Sequence, residues 1–151
     1  MASLDVFAGV LGKDKASHLL NRLTFGATRQ EIDTFALKSA TEAVTILLAA
    51  QTAPLPPIDT KTSLTWVVPA SANSGEGELR DFFRSWFYGL MYNAGTNSTE
   101  KLTFFLHTHF TAIGSVIDKS TSLYYQNQLL RKYALGNFKE LALSIGLDNA
   151  M

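Results

Sequence analysis

Between Leu79 and Met91, seven large apolar side chains recur at steps of one, three and four residues: Leu79, Phe82, Phe83, Trp86, Phe87, Leu90 and Met91. This spacing gathers them on one broad face of an α-helix, whereas a strand would send them to both sides. A face that wide and that aromatic has to be covered, so the rest of the chain must supply packing partners. At 151 residues, 46% of them hydrophobic and 17% charged, the chain has the material for one core without chemical staples.

The cover reads as further helices. Ala16, Leu19, Leu20 and Leu23 form a stripe with Asp14 as expected N-cap and Gly26 as stop. Thr28-Arg29-Gln30-Glu31 and Ser39-Ala40-Thr41-Glu42 both have capping-box spacing, the first ahead of Ile32, Phe35 and Ala36, the second ahead of Ala43, Val44, Leu47 and Leu48. After the turn Ala94-Gly95-Thr96-Asn97, a helix is expected over 98–113 with Leu102, Phe105, Leu106, His109 and Ile113 inward. Another is expected over 121–135, closing at Gly136. A last one, capped at Asn137, turns Phe138, Leu141, Ala142 and Ile145 inward and stops at Gly146. The fold class is therefore all-α, with about six helices in an orthogonal or bundle-like array around the Phe82–Met91 and Leu102–Ile113 segments. Residues 52–77 break the pattern: Pro54, Pro56, Pro57 and Pro69 exclude continuous helix, and Ser71 to Gly75 reads as loop. Within that loop Leu64 to Val68 has the composition of one short strand, which would need a partner from outside the segment.

Composition removes several functions. Thirteen basic and thirteen acidic side chains cancel, and a polyanion needs a net basic surface or stripe, so nucleic acid is not an expected partner. Without cysteine there is no disulfide, thiolate metal site or cysteine nucleophile. No apolar run reaches the roughly 18–20 residues that span a bilayer. The segment Met1 to Gly12 lacks the basic start and apolar stretch of a signal peptide. The expectation is a cytoplasmic protein or one whose leader has been removed.

The segment with most chemical content is His107-Thr108-His109. On a strand the two rings share a face and can chelate one ion; on a helix they stand about 200° apart. The helical reading puts His109 on the apolar stripe, as a core histidine satisfied by a polar neighbour or as a ligand or acid–base group. His107 falls on the other side with Glu100, Phe104 and Thr111, a solvated or interface position. A metal site would need further ligands from another segment, so none is assigned. His18 reads as a surface group loosely paired with Asp14. Arg80 and Arg84, one turn apart, either clamp an anion or form a solvated face with Glu76 and Asp81 as counter-charges, and the second is the simpler. Asn127 lies on the stripe of Leu123, Leu130 and Ala134, where a buried amide fixes helix register. Tyr124 and Tyr125 read as packing, with a hydrophobic pocket as the other reading. Asn97-Ser98-Thr99 matches a glycosylation sequon.

Several segments in order resemble one family. They are His18-Leu19-Leu20-Asn21-Arg22 with Phe25-Gly26; Glu100 through Phe110; Gln126-Asn127 through Leu130-Arg131; Ala134 through Phe138; and Asp148-Asn149-Ala150-Met151. Together they are similar to the N-terminal part of the bacterial domain-of-unknown-function family 1800. The chain departs from the family pattern at Leu106, where tryptophan is usual, and at Asn149, where proline is usual. The resemblance implies an N-terminal fragment of a larger domain, exported to the periplasm or cell surface. Two functions are then open. One is a non-catalytic helical module acting in cell-surface assembly or partner binding, with an exposed aromatic surface that self-associates or meets a protein partner. The other is a metal- or haem-dependent enzyme that combines His107 or His109 with residues from a further C-terminal part. The candidate catalytic residues are His107, His109 and Arg131.

Overall fold

The computed structural model describes residues 7–67 and 73–151. The expectations placed on the first six residues and on Val68, Pro69, Ser71 and Ala72 lie outside the described residues. Seven helices appear among the described residues, one more than the expected number: α1 (Gly12–Leu23), α2 (Arg29–Ala36), α3 (Ala40–Leu47), α4 (Glu76–Tyr92), α5 (Thr99–His109), α6 (Ser120–Tyr133) and α7 (Phe138–Ile145). The class is all-α apart from one small antiparallel pair.

That pair corrects the reading of the long loop. The strand segment β2 (Leu64–Thr65) finds its partner inside the loop, in β1 (Ile58–Asp59), with Ile58 opposite Thr65 and Asp59 opposite Leu64. Asp59 holds the turn. Its Oδ1 accepts from the Lys61 amide at 2.8 Å and the Ser74 hydroxyl at 2.9 Å, and its Oδ2 from the amides of Asn73 and Ser74 at 2.9 and 3.0 Å. Burial raises its carboxyl pKa, but these hydrogen bonds together outweigh burial and hold it below the ordinary value. The hairpin is thereby tied to the start of α4.

Local chemistry explains most helix ends. Thr28 and Ser39 make complete capping boxes with Glu31 and Glu42. The Asn137 carboxamide oxygen accepts from the amides of Lys139 and Glu140. The start of α1 differs from expectation: the helix begins at Gly12 and Asp14 sits in its first turn, where a carboxylate favours the positive helix end without capping it. At the other end Thr24 donates its hydroxyl to the Leu20 carbonyl at 2.8 Å, and Gly26 (φ 148°) turns the chain where a side chain would be strained.

Three apolar clusters form the core. Leu11, Ala16, Leu20, Phe35, Ala36, Ala43 and Leu47 join α1–α3. Trp66, Val67, Leu79, Phe83 and Leu123 join the hairpin, α4 and α6. Leu106, Leu130, Leu141 and Ile145 join α5, α6 and α7. Polar ties connect the units. Ser98 sends its amide and hydroxyl to the Leu47 carbonyl at 2.9 and 2.8 Å, and Glu76 at the head of α4 accepts from the Ser120 amide and hydroxyl at the head of α6. Not every expected inward residue is inward: in α7 Leu141 and Ile145 are buried, but Phe138 and Ala142 face out.

Candidate functional site

The histidine helix is rotated from its expected setting, and shorter. It ends at His109, and Phe110 leaves the helical region with φ −99° and ψ 69°. Its buried side chains are Thr99, Thr103 and Leu106, with Phe110 packed against the same cluster as Leu106. Steps of four, three and four define that face, and Phe105, His109 and Ile113 are all exposed. The inward threonine is possible because the Thr103 hydroxyl donates to the Thr99 carbonyl of its own helix at 2.8 Å, so no partner across the interface is needed.

The two imidazoles therefore exchange the roles expected of them. His107 is the half-buried one: its ring meets Phe87 edge-on at 5.9 Å, and its Nδ1 is buried without a hydrogen-bond partner. Burial disfavours the imidazolium and pushes the pKa below its ordinary value. His109 stands outside, stacked near Phe105 at 4.3 Å between ring centres, with its Nδ1 2.8 Å from the Phe105 carbonyl. A carbonyl only accepts, so Nδ1 carries the proton and the neutral ring keeps its lone pair on Nε2. The rings point to opposite sides of α5 and do not share one ion. Among the described residues no three His, Cys, Asp or Glu side chains are grouped to hold a metal.

Arg131 belongs to a third place. Its Nε and Nη2 donate to the two Glu100 carboxylate oxygens at 3.0 and 2.6 Å, its Nη1 donates to the Asn127 side-chain oxygen, and its guanidinium lies 5.5 Å from the Trp86 ring centre. This is a bidentate, shielded pair that fastens α6 to α5. Asn127 is buried as expected, but its oxygen serves Arg131 on its own helix instead of a neighbouring one. Glu100 went unrecognised as a partner because 31 residues separate it from Arg131. Gln126 was also missed, fully buried with neither amide atom partnered. The spacing held a signal for it, three after Leu123 and four before Leu130.

His107 opens on a cavity of about 210 Å³ lined by Arg80, Phe83, Phe87, Phe104 and Leu123 among others. Arg84, also on its rim, is paired with Asp81 at 3.0 Å, as the solvated-face reading expected. Arg80 is not so paired. Its Nη2 donates to the Ile117 carbonyl at 2.8 Å, its Nε is buried without a partner, and Glu76 is engaged elsewhere with Ser120 and Lys119. His18 is exposed, and no ion pair joins it to Asp14 among the described residues. Tyr124 packs on Trp86 at 5.5 Å and on Tyr125 at 5.3 Å.

The model of the family of proteins of unknown function DUF1800 matches residues 18–151. The chain belongs to that family. No curated protein and no solved structure matches it. The DUF1800 match covers α1 from His18 onward and every later element, so the histidine helix, the Arg131–Glu100 pair and the Arg80 cavity all lie inside the family region. No described helix of this DUF1800 chain is long and apolar enough to cross a membrane.

Proposed function

We propose that this DUF1800 chain is a non-catalytic helical module of an exported bacterial protein, and that it works by binding a protein partner on the outer face of α5. The exposure of aromatic side chains on that face carries the reading. Phe105 is 52% exposed and Phe104 38%, and Phe25, 39% exposed, meets Phe104 edge-on at 6.0 Å. Contiguous aromatic surface is uncommon on proteins that act alone and is enriched at the centres of protein interfaces. Lys101, 5.0 Å above the Phe25 ring, puts one cation on the rim and makes an apolar segment flanked by a carboxylate the matching partner. The scatter of His107, His109 and Arg131 over three surroundings supports binding over catalysis, because acid–base work needs its groups within hydrogen-bond reach.

A photo-crosslinking residue at position 105 in the native host tests this, with a control at Leu37, which is 79% exposed on another part of the molecule. The expected result is one discrete adduct at 105 and none at 37. The identified partner, purified, should bind at least about tenfold more weakly to Phe105→Glu than to the natural chain. Absence of a discrete adduct, or equal adducts at both positions, refutes the assignment. Fractionation of the native cells tests the exported placement.

The second reading, a metal- or haem-dependent enzyme completed by a further segment, is favoured by one observation: the unpartnered, buried Nδ1 of His107. In that reading His107 alone, and not the pair, would be this chain's contribution.

A further inference from the structure

Arg80 and His107 line one cavity, and neither is satisfied there. The buried Arg80 Nε and the buried His107 Nδ1 have no partner, and no carboxylate among the described residues pairs with Arg80. The rest of the wall is largely hydrocarbon, with Phe83, Phe87 and Phe104 supplying ring faces and edges. A guanidinium in such surroundings favours an anion that can take two of its N–H groups at once, and the aromatic wall favours a flat apolar body behind that anion.

We propose that this cavity binds a small aromatic carboxylate, its head held by Arg80 and His107 and its ring lying among Phe83, Phe87 and Phe104. Size and charge narrow the class. The volume of about 210 Å³ is below the roughly 300–1,000 Å³ of pockets for drug-sized ligands, so one ring is the fitting body. Arg84 is neutralised by Asp81, which leaves one uncompensated positive charge. A carboxylate balances it, whereas a phosphate monoester at about −1.5 to −2 overshoots. His107 is neutral near pH 7 because of its burial, so it adds a hydrogen-bond donor and no second charge. The site stands on the inner side of α5, apart from the docking face proposed above, so each can fail without the other.

Benzoate is the probe, with benzyl alcohol as the uncharged ring and phenyl phosphate as the doubly charged one. Side-chain nitrogen resonances of Arg80 and His107 are followed by NMR on the purified chain during each titration. The expected result is saturable shifts at both residues with benzoate, and affinity at least about tenfold weaker for benzyl alcohol. Arg80→Met should abolish the saturable response while circular dichroism shows the helices intact. Should Arg80→Met not fold, Arg80→Lys decides, because it keeps the charge but loses the fork and should weaken benzoate severalfold. No saturable shift with benzoate, equal binding of benzyl alcohol, or benzoate binding that ignores the Arg80 variants overturns the site. Tighter binding of phenyl phosphate overturns the carboxylate assignment.

Discussion

Glu100 and Arg131 face each other with side chains 15% and 8% exposed, and that cover determines what either is worth. Removing one leaves the other charged, shielded from water and unpaired, the expensive way to break an ion pair. Glu100→Gln should therefore destabilise the chain by about 3–5 kcal/mol in urea unfolding. A loss under about 1 kcal/mol would mean that the pair behaves as an exposed one. The same geometry explains why Arg131 does not look like a catalytic group: its forks are already occupied by Glu100 and Asn127. His107 shows the opposite condition. Its pKa is lowered in the folded chain, so the unfolded chain binds the proton more tightly. The stability it leaves intact at neutral pH is lost as pH falls through the ordinary histidine value of about 6.5 toward the depressed one. Arg131 was visible in the sequence through the family resemblance. Its partner was not, since nothing local ties residue 100 to residue 131.

Helix boundaries that rest on neighbouring residues were readable, and those that rest on tertiary contact were not. The capping boxes at Thr28 and Ser39 close with hydrogen bonds of 2.7–3.3 Å, as their four-residue spacing requires. Thr28→Ala and Ser39→Ala should each cost about 1 kcal/mol in thermal or urea unfolding. No measurable change would show that the caps are redundant to packing. In α4 the wide stripe left one possible face, and Leu79, Phe83 and Phe87 are buried on it. In α5 the adjacent Phe104 and Phe105 cannot both face inward together with Leu102 and Leu106. Counting apolar residues selected the Phe105–His109 side, while the helix buries Thr99 and Thr103 because a threonine hydroxyl can be satisfied by its own helix. Ile113 reinforced the wrong side although it lies beyond the helix end. The partner of the short strand was missed for a related reason. Two-residue strands carry too little alternation to read, and the bonds that hold this hairpin come from Asp59 to residues 61, 73 and 74.

At the scale of the whole molecule, the α-helical class followed from periodicity, but the distribution of function over the surface did not. Three core clusters, tied by Ser98 to Leu47 and by Glu76 to Ser120, present α5 with two usable sides. One carries His107 and the Arg80 cavity; the other carries Phe105 and His109. Sequence could tell that the imidazoles part company, because 200° separates i and i+2 on a helix. It could not tell which went in, because that depends on how α4 and α6 cover α5. The most direct test is an NMR titration of the imidazole nitrogens across about pH 5 to pH 8, repeated with an equimolar amount of Zn²⁺. The account predicts that His107 titrates below the ordinary value, that His109 follows its own curve with Nδ1 protonated when neutral, and that zinc does not move the two rings together. A joint shift of both rings on one bound zinc ion would contradict it.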